Sequence, residues 1–130
     1  MRFAKPVRVF IGLLAVAAAV APAYAGQNAC LLEGSLKFAG QTIESKDCMQ
    51  NGGAKPADFL EACNQIAKMG AALGAPPKVT YMDACPAQAQ GVCVGVFSRQ
   101  ISAYYYKRDP KDLPDVKSSC ELQGGKWKAK

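Results

Sequence analysis

The longest run of apolar residues in this chain lies near its N-terminus and follows a cluster of positive charge. Three basic residues precede the run: Arg2, Lys5 and Arg8. The uncharged run from Val9 to Val20 has about 12 residues, whereas a membrane-spanning helix needs about 20. It ends in segment 21–25, whose alternating alanines give the small-x-small pattern that signal peptidase accepts. We therefore expect residues 1–25 to be a cleavable signal peptide and residues 26–130 to form a single disulfide-rich domain.

Beyond this segment, one stretch repeats its apolar residues at helical spacing. From Pro56 onward, apolar or small residues recur every three or four positions: Phe59, Cys63, Ile66, Gly70 and Leu73. This spacing places them along one face of an amphipathic helix, with Pro56 in its first turn and Gly74 at its end. We expect this face to be buried and Cys63 to form a bridge into the core.

Four other segments are rich in the β-branched and aromatic residues that favour strands. They are Leu31–Ile43, Val79–Met82, Val92–Phe97 and Ile101–Lys107. The first alternates weakly around a turn at Gly40–Gln41 and predicts a hairpin. The last two predict a second hairpin, whose three-residue connection would pair Phe97 with Ile101 and Cys93 with Tyr105. The face opposite Cys93 would carry Val94, Val96, Tyr104 and Tyr106.

A second helix is predicted near the C-terminus, where Leu113, Val116 and Cys120 share one side. Either Asp109 or Asp112 would cap its start. The element order is hairpin, helix, strand, hairpin, helix. We therefore expect an α+β fold, a small disulfide-stapled domain with two helices packed on one face of a short antiparallel sheet.

Cysteine usage is the strongest signal after residue 25. Six cysteines follow the predicted cleavage site: Cys30, Cys48, Cys63, Cys85, Cys93 and Cys120. An even number of cysteines in an exported chain predicts disulfides, here three, although the sequence does not determine how they pair. We favour one local bridge between Cys85 and Cys93, because Pro86 and Gly91 between them would allow a stapled loop.

The charge of the chain is modest once the predicted signal is removed. The full sequence has 16 basic and 10 acidic residues and a formal charge of +6, and the signal would take three of the basic residues with it. The remaining basic residues are spread along the chain, with small clusters only at Lys107–Arg108 and Lys126–Lys130. We therefore expect no nucleic-acid partner, which would need a strongly basic face, and no membrane span in the mature chain.

The absence of histidine from the sequence removes the usual catalytic and metal-binding chemistry. Neither a Ser-His-Asp nor a Cys-His arrangement is possible, and the commonest metal ligand is missing. The cysteines show no Cys-x-x-Cys spacing of the kind found in zinc or thioredoxin-like sites. We interpret Asp109, Asp112 and Asp115 as helix-capping residues rather than calcium or glycosidase groups. We expect no cofactor, no metal and no enzymatic activity.

The segment Tyr104–Arg108 is the best candidate for a binding surface. Alternation along a strand would place Tyr104 and Tyr106 on one face, beside Arg108. Tyrosine combines a large apolar ring with a polar tip, so these three residues could bind a glycan, a peptide or a protein. The alternative interpretation is that the tyrosines are ordinary, partly covered strand residues.

Three functions remain compatible with these patterns. The first is a non-enzymatic binding or interaction module of the bacterial envelope, periplasmic or secreted, with an envelope protein or a glycan as its partner. The second is a thiol-redox or reactive-cysteine enzyme, which would need an accessible cysteine of lowered pKa. The third is a purely structural envelope protein.

Overall fold

The computed structural model describes residues 26–130, so the predicted signal peptide lies outside the described residues. The elements are β1 (Ala29–Phe38), β2 (Gln41–Asn51), α1 (Pro56–Ala72), β3 (Lys78–Met82), β4 (Gly91–Gly95), β5 (Ile101–Tyr105), α2 (Leu113–Leu122) and β6 (Lys126–Ala129). A helical turn at Val96–Arg99 and a 3-10 turn at Pro110–Asp112 complete the described secondary structure.

The six strands form one sheet in the order β3-β1-β2-β5-β4-β6, and every neighbouring pair is antiparallel. This confirms the α+β class and the disulfide stapling predicted from the sequence. The sheet is larger than expected because β2 continues to Asn51 and because Lys126–Ala129 adds an edge strand. The two short helical turns also raise the number of helical segments in the described chain above the two expected.

The first hairpin turns through two residues. Phe38 pairs with Gln41, which leaves Ala39 and Gly40 as the turn, one residue earlier than predicted. Both have positive φ, at 50° and 76°. Such a two-residue turn matches the right-handed twist of the flanking strands, and glycine reaches this conformation without steric cost.

The second hairpin has a different register from the predicted one. Cys93 pairs with Ala103 rather than with Tyr105. Its connection is longer than three residues because Phe97 and Ser98 take left-handed conformations inside the Val96–Arg99 turn. The predicted face of Val96 is also wrong. Gly95 takes a positive φ of 85° and interrupts the alternation, so Val96 is buried in the same cluster as Cys93.

The sheet has a buried cluster on each face. The main core contains Cys30, Leu32, Met49, Phe59, Cys63, Cys93, Val96, Ile101 and Cys120. Among these, α1 supplies Phe59 and Cys63, and α2 supplies Cys120. The second cluster contains Ala29, Leu31 and Cys48, with Cys85, Tyr104 and Tyr106 packed against it. Neighbouring residues of β1 thus enter opposite clusters, as the alternation of a strand requires.

Three disulfides join these clusters internally: Cys30–Cys63, Cys48–Cys85 and Cys93–Cys120. The predicted Cys85–Cys93 bridge is therefore wrong. Cys93 faces the main core, whereas Cys85 packs against the second cluster on the other side of the sheet. Closeness along the chain did not bring these two side chains to the same face.

The C-terminal third begins with a capped turn. The Asp109 carboxylate accepts a hydrogen bond from the Lys111 backbone amide at 3.1 Å and so caps the 3-10 turn, whereas Asp112, directly before α2, makes no side-chain capping hydrogen bond. After α2, Trp127 on β6 pairs with Cys93, and its ring lies 5.8 Å from that of Tyr105. Neither helix of the described residues combines the length and the apolar character needed to cross a bilayer.

Candidate functional site

A cavity of about 300 Å³ lies between α1 and the face of the sheet that carries the main core. Apolar side chains from five different elements or connections line most of it: Leu32, Met49, Ile66, Val96 and Ala103. One end is polar and contains Asp47, Tyr105 and Arg108. A concave, largely apolar space with a few converging polar groups is the usual form of a small-molecule site.

Strand alternation explains how β2 contributes to this cavity. Asp47 and Met49 are two residues apart and therefore share a face, and Asp47 pairs with Leu32 on β1 and with Tyr105 on β5. Gly70 of α1 shapes the opposite wall. A Cβ at Gly70 would lie 3.0 Å from the Ala75 carbonyl oxygen, so a larger residue would push the chain after α1 outward by a few tenths of an ångström.

Asp47 and Arg108 form an ion pair at the polar end of the cavity. Arg108 Nη2 donates to Asp47 Oδ2 at 2.5 Å, and the two side chains are 40% and 28% exposed. Asp47 Oδ1 and Arg108 Nε are buried and have no hydrogen-bond partner. An unsatisfied buried polar group costs about 1–3 kcal/mol, so this single-point contact leaves both residues incompletely satisfied.

Two further contacts hold Arg108 in place. Its guanidinium carbon lies 5.1 Å from the centre of the Tyr105 ring, which is a cation–π distance. The Gln90 side chain binds both backbone groups of Arg108, accepting from its amide at 2.8 Å and donating to its carbonyl at 2.9 Å. The cation is therefore fixed by a side chain from before β4 and an aromatic ring on β5.

Burial changes the acidity of the groups at this end. It raises the pKa of Asp47 above its ordinary value, and this effect exceeds the lowering by Arg108. Burial, and secondly the negative charge of Asp47, also raise the pKa of Tyr105. The carboxylate is therefore held charged in surroundings that favour its neutral form.

Tyr104 and Tyr106 lie on the opposite face of the sheet. The Tyr106 hydroxyl donates to the Pro86 carbonyl oxygen at 2.5 Å, and Lys46 Nζ lies 5.5 Å from the centre of the ring. Burial, with a smaller contribution from Tyr104, raises the pKa of Tyr106 to about 12. Tyr106 therefore serves to hold the segment that contains Pro86 against the sheet.

Tyr104 is half-buried and belongs to a row of side chains across this face. Val92 pairs with Tyr104 on one side and with Lys128 on the other. Lys128 is exposed, as is its neighbour on the same face, Lys126. An aromatic ring, an aliphatic side chain and a cation thus lie side by side.

The structure separates the three residues that the sequence placed on one surface. Tyr104 and Tyr106 pack against the second cluster, whereas Arg108 lies over Tyr105 on the cavity side. The reason is that β5 ends at Tyr105, so strand alternation no longer governs the direction of Arg108. The sequence analysis missed Asp47. The one available signal was that this charged residue lies two positions before Met49 and would therefore share its face of a strand.

The cysteines offer little reactive surface within residues 26–130. All six are paired in disulfides, and five of them are at most 3% exposed. Cys85 is partly buried and is the most accessible of the six. In the same residues, no three Cys, Asp or Glu side chains come together in a group that could hold a metal ion.

Comparisons with protein-family models, with curated proteins and with solved structures found no match to this chain. Support for a function therefore comes from two features of the fold. One is the cavity with its Asp47–Arg108 pair, and the other is the row of Tyr104, Val92 and Lys128.

Proposed function

We propose that this protein is an exported, non-enzymatic binding module of the bacterial envelope that holds a small, largely apolar ligand in the cavity between α1 and the sheet. The observation that carries this proposal is the cavity itself, whose 300 Å³ are lined mainly by apolar side chains. Ligand pockets run from about 300 to 1,000 Å³, which makes this one suitable for a small molecule.

An oxidising compartment is the natural setting for this fold. Three disulfides in about 100 residues are typical of periplasmic and secreted proteins. The predicted signal peptide supports the same location. The test is the intact mass of the exported product: a chain that starts at Gly26 and takes up no alkylating reagent supports export, and a retained residue 1–25 segment contradicts it.

Binding rather than catalysis is favoured by the groups at the polar end. An ion pair and a tyrosine whose pKa is raised provide no activated nucleophile, and the Asp47 carboxylate that could act as a base is engaged by Arg108. The thiol-redox alternative would need an accessible, free cysteine, and every cysteine of residues 26–130 is paired.

A titration with decanol tests the cavity directly, because this probe has an apolar body and no charge. Amide signals of the cavity-lining residues Leu32, Met49 and Ala103 should shift in two-dimensional NMR spectra. Shifts confined to other surfaces, or none at all, would overturn the proposal.

A matched pair of variants sharpens this test. Ala103→Leu fills the cavity and should abolish decanol binding, because Ala103 lines its wall. Ala71→Leu adds the same side chain at an exposed position of α1 and should leave binding unchanged. Equal binding by both variants would place the ligand elsewhere.

A second candidate function is carried by the Tyr104, Val92 and Lys128 row, which suits an envelope protein or a glycan as partner. Aromatic rings beside cations are common in such contacts. Tyr104→Ala should reduce capture of a partner from an envelope extract, compared with Leu122→Ala, which removes an apolar side chain that is 88% exposed elsewhere. Unchanged capture by the Tyr104 variant would exclude this surface.

A further inference from the structure

The Arg108 side chain uses only part of its hydrogen-bonding capacity. A guanidinium presents its donors in a planar fork that fits a carboxylate with two parallel bonds. Asp47 engages Nη2 alone, and Nε has no partner. A carboxylate that placed one oxygen at Nη2 and the other at Nε would satisfy both nitrogens. Asp47 in its present position satisfies Nη2 alone.

This incomplete ion pair lies where the apolar cavity meets solvent. Both residues line the cavity together with Leu32 and Met49, yet their side chains are partly exposed. A ligand whose apolar body lies against Leu32 and Met49 would therefore bring its head group to Arg108. The pair has no net charge, and Asp47 Oδ1 lacks a partner as Arg108 Nε does. An anionic head is favoured because Asp47 can take up a proton and leave Arg108 free, whereas a guanidinium does not lose its proton to make room for a cation.

Asp47 faces few other charges. Arg108, which follows β5, is the cation beside it, and Tyr105 on β5 is the neighbouring titratable group. On β1, Leu32 lies opposite, and the residues that α1 contributes to the cavity are Ile66 and Gly70, which carry no charge. Among the described cavity-lining residues, Arg108 is the one cation, so no other positive charge would balance the Asp47 carboxylate if Arg108 bound another anion.

Burial already raises the pKa of Asp47, and the facing Arg108 is what lowers it. When the guanidinium turns to a ligand carboxylate, this lowering is lost and the neutral form of Asp47 becomes favoured. The exchange balances in charge. The hydrogen bond from Nη2 to Oδ2 breaks, the ligand carboxylate accepts from Nε and Nη2, and Asp47 takes one proton from solvent.

We infer that the ligand of this cavity is a small amphiphile with a carboxylate head, which displaces Asp47 from Arg108 and is bound together with one proton. This inference rests on the proposed binding function and adds the chemical class of the ligand. It also makes ligand affinity dependent on pH, with tighter binding in acid and release as the pH rises.

Calorimetry with decanoate, decanol and decyltrimethylammonium tests the head group at constant chain length. At a pH above the pKa of its own carboxyl group, where it is ionised, decanoate should bind at least tenfold more tightly than the other two, and its affinity should fall by up to tenfold per pH unit as the pH rises further. Titrations in buffers of different ionisation enthalpy should show uptake of up to one proton per decanoate bound.

Variants at the pair give opposite predictions for the same ligand. Asp47→Asn removes the carboxylate that occupies Arg108 and that would otherwise take up a proton, so decanoate should bind more tightly and with no proton uptake. Arg108→Met should remove the preference for decanoate while decanol still binds. Lys107→Met removes an adjacent exposed cation, whose partner is Glu44, and should change neither affinity by more than twofold.

The outcomes separate this inference from the proposed function. If decanol binds in the cavity but decanoate is not preferred, or if Asp47→Asn leaves decanoate affinity and proton uptake unchanged, the carboxylate exchange is wrong and the cavity proposal stands. If neither probe perturbs the cavity residues, both fall. A preference for decanoate that Arg108→Met abolishes and Asp47→Asn strengthens supports both.

Discussion

Trp127 lies directly across the backbone of Gly91. A Cβ at Gly91 would be 2.1 Å from Cζ2 of the indole, closer than two non-bonded carbon atoms can approach. The same indole packs against the Tyr105 ring, on which the Arg108 guanidinium lies. The edge strand β6 therefore supports, through one aromatic pair, the cation at the polar end of the cavity.

The first prediction concerns this contact. Gly91→Ala should destabilise the protein by about 1–3 kcal/mol, since the indole has to move to admit the methyl group. Urea unfolding measures the change. Gly34→Ala is the control, because a Cβ there meets its nearest atom at 3.4 Å and glycine within a strand is about 0.5–1 kcal/mol worse than alanine. Equal losses in both variants would show that Trp127 does not lie over Gly91.

The second prediction concerns the order in which the disulfides are reduced. Cys48–Cys85 should be reduced first, because Cys85 is partly exposed while the cysteines of the other two bridges are at most 3% exposed. Brief treatment with a mild reductant, followed by alkylation and peptide mapping, should label Cys48 and Cys85 ahead of the other four. First labelling of Cys93 with Cys120 would contradict the burial of that bridge.

The third prediction concerns the Tyr106 hydroxyl. Tyr106→Phe should lower the free energy of unfolding by about 0.5–1.5 kcal/mol, the net contribution of the hydrogen bond to Pro86. Since the pKa of Tyr106 is raised from 10.0 to about 12, the folded state holds this proton more tightly than the unfolded state. The stability that Tyr106 contributes is thus complete below pH 10 and declines between pH 10 and about 12.

Alkaline unfolding curves and ultraviolet difference titrations check this prediction. The variant should lack both the tyrosine that titrates near pH 12 and that part of the alkaline loss of stability. Tyr81→Phe is the control, because its hydroxyl makes only a 3.4 Å contact with the Asn64 side chain at an exposed position. If Tyr106→Phe retains the late titration, the late-titrating group is another tyrosine, which would contradict the burial of the Tyr106 hydroxyl.

Local patterns predicted α1 and most of the strands but missed β6, and they did not predict the site. The spacing of Phe59 and Cys63 predicted α1, because a helix brings residues three and four apart onto one face whatever lies beyond it. The Asp47–Arg108 pair joins residues 61 positions apart. No local periodicity relates two such residues, and their meeting depends on the pairing of β2 with β5.

The sequence prediction of a Cys85–Cys93 disulfide was wrong for a related reason. Cys85 and Cys93 are close along the chain, yet the sheet passes between the clusters to which they belong. Strand alternation did place Cys93 on the face opposite Tyr104 and Tyr106, but Cys85 lies between β3 and β4, where no alternation determines the cluster it joins. The left-handed Phe97 and Ser98 between β4 and β5 were not predicted either, because neither residue is the glycine that typically marks a positive φ in a hairpin connection.

The fourth prediction concerns how Asp47 affects stability in the absence of ligand. The folded state raises the pKa of Asp47 above 3.8, so it binds this proton more tightly than the unfolded chain. The free energy of unfolding therefore decreases as the pH rises from 3.8 through the raised pKa, and Asp47 is held charged at a cost at neutral pH. Asp47→Asn should be more stable than the wild type at neutral pH, with a gain that vanishes below 3.8.

Urea unfolding of both proteins across the acidic range measures this difference, and Glu44→Gln provides a control of opposite sign. The Lys107 ammonium, through its hydrogen bond and its charge, lowers the pKa of Glu44 below 4.5, so the contribution of Glu44 is present above that value and is lost as the pH falls. Glu44→Gln should thus lose stability at neutral pH. If Asp47→Asn also loses stability at neutral pH, the ion pair with Arg108 stabilises the protein by more than the burial of the carboxylate destabilises it. A ligand would then displace Asp47 from Arg108 less easily.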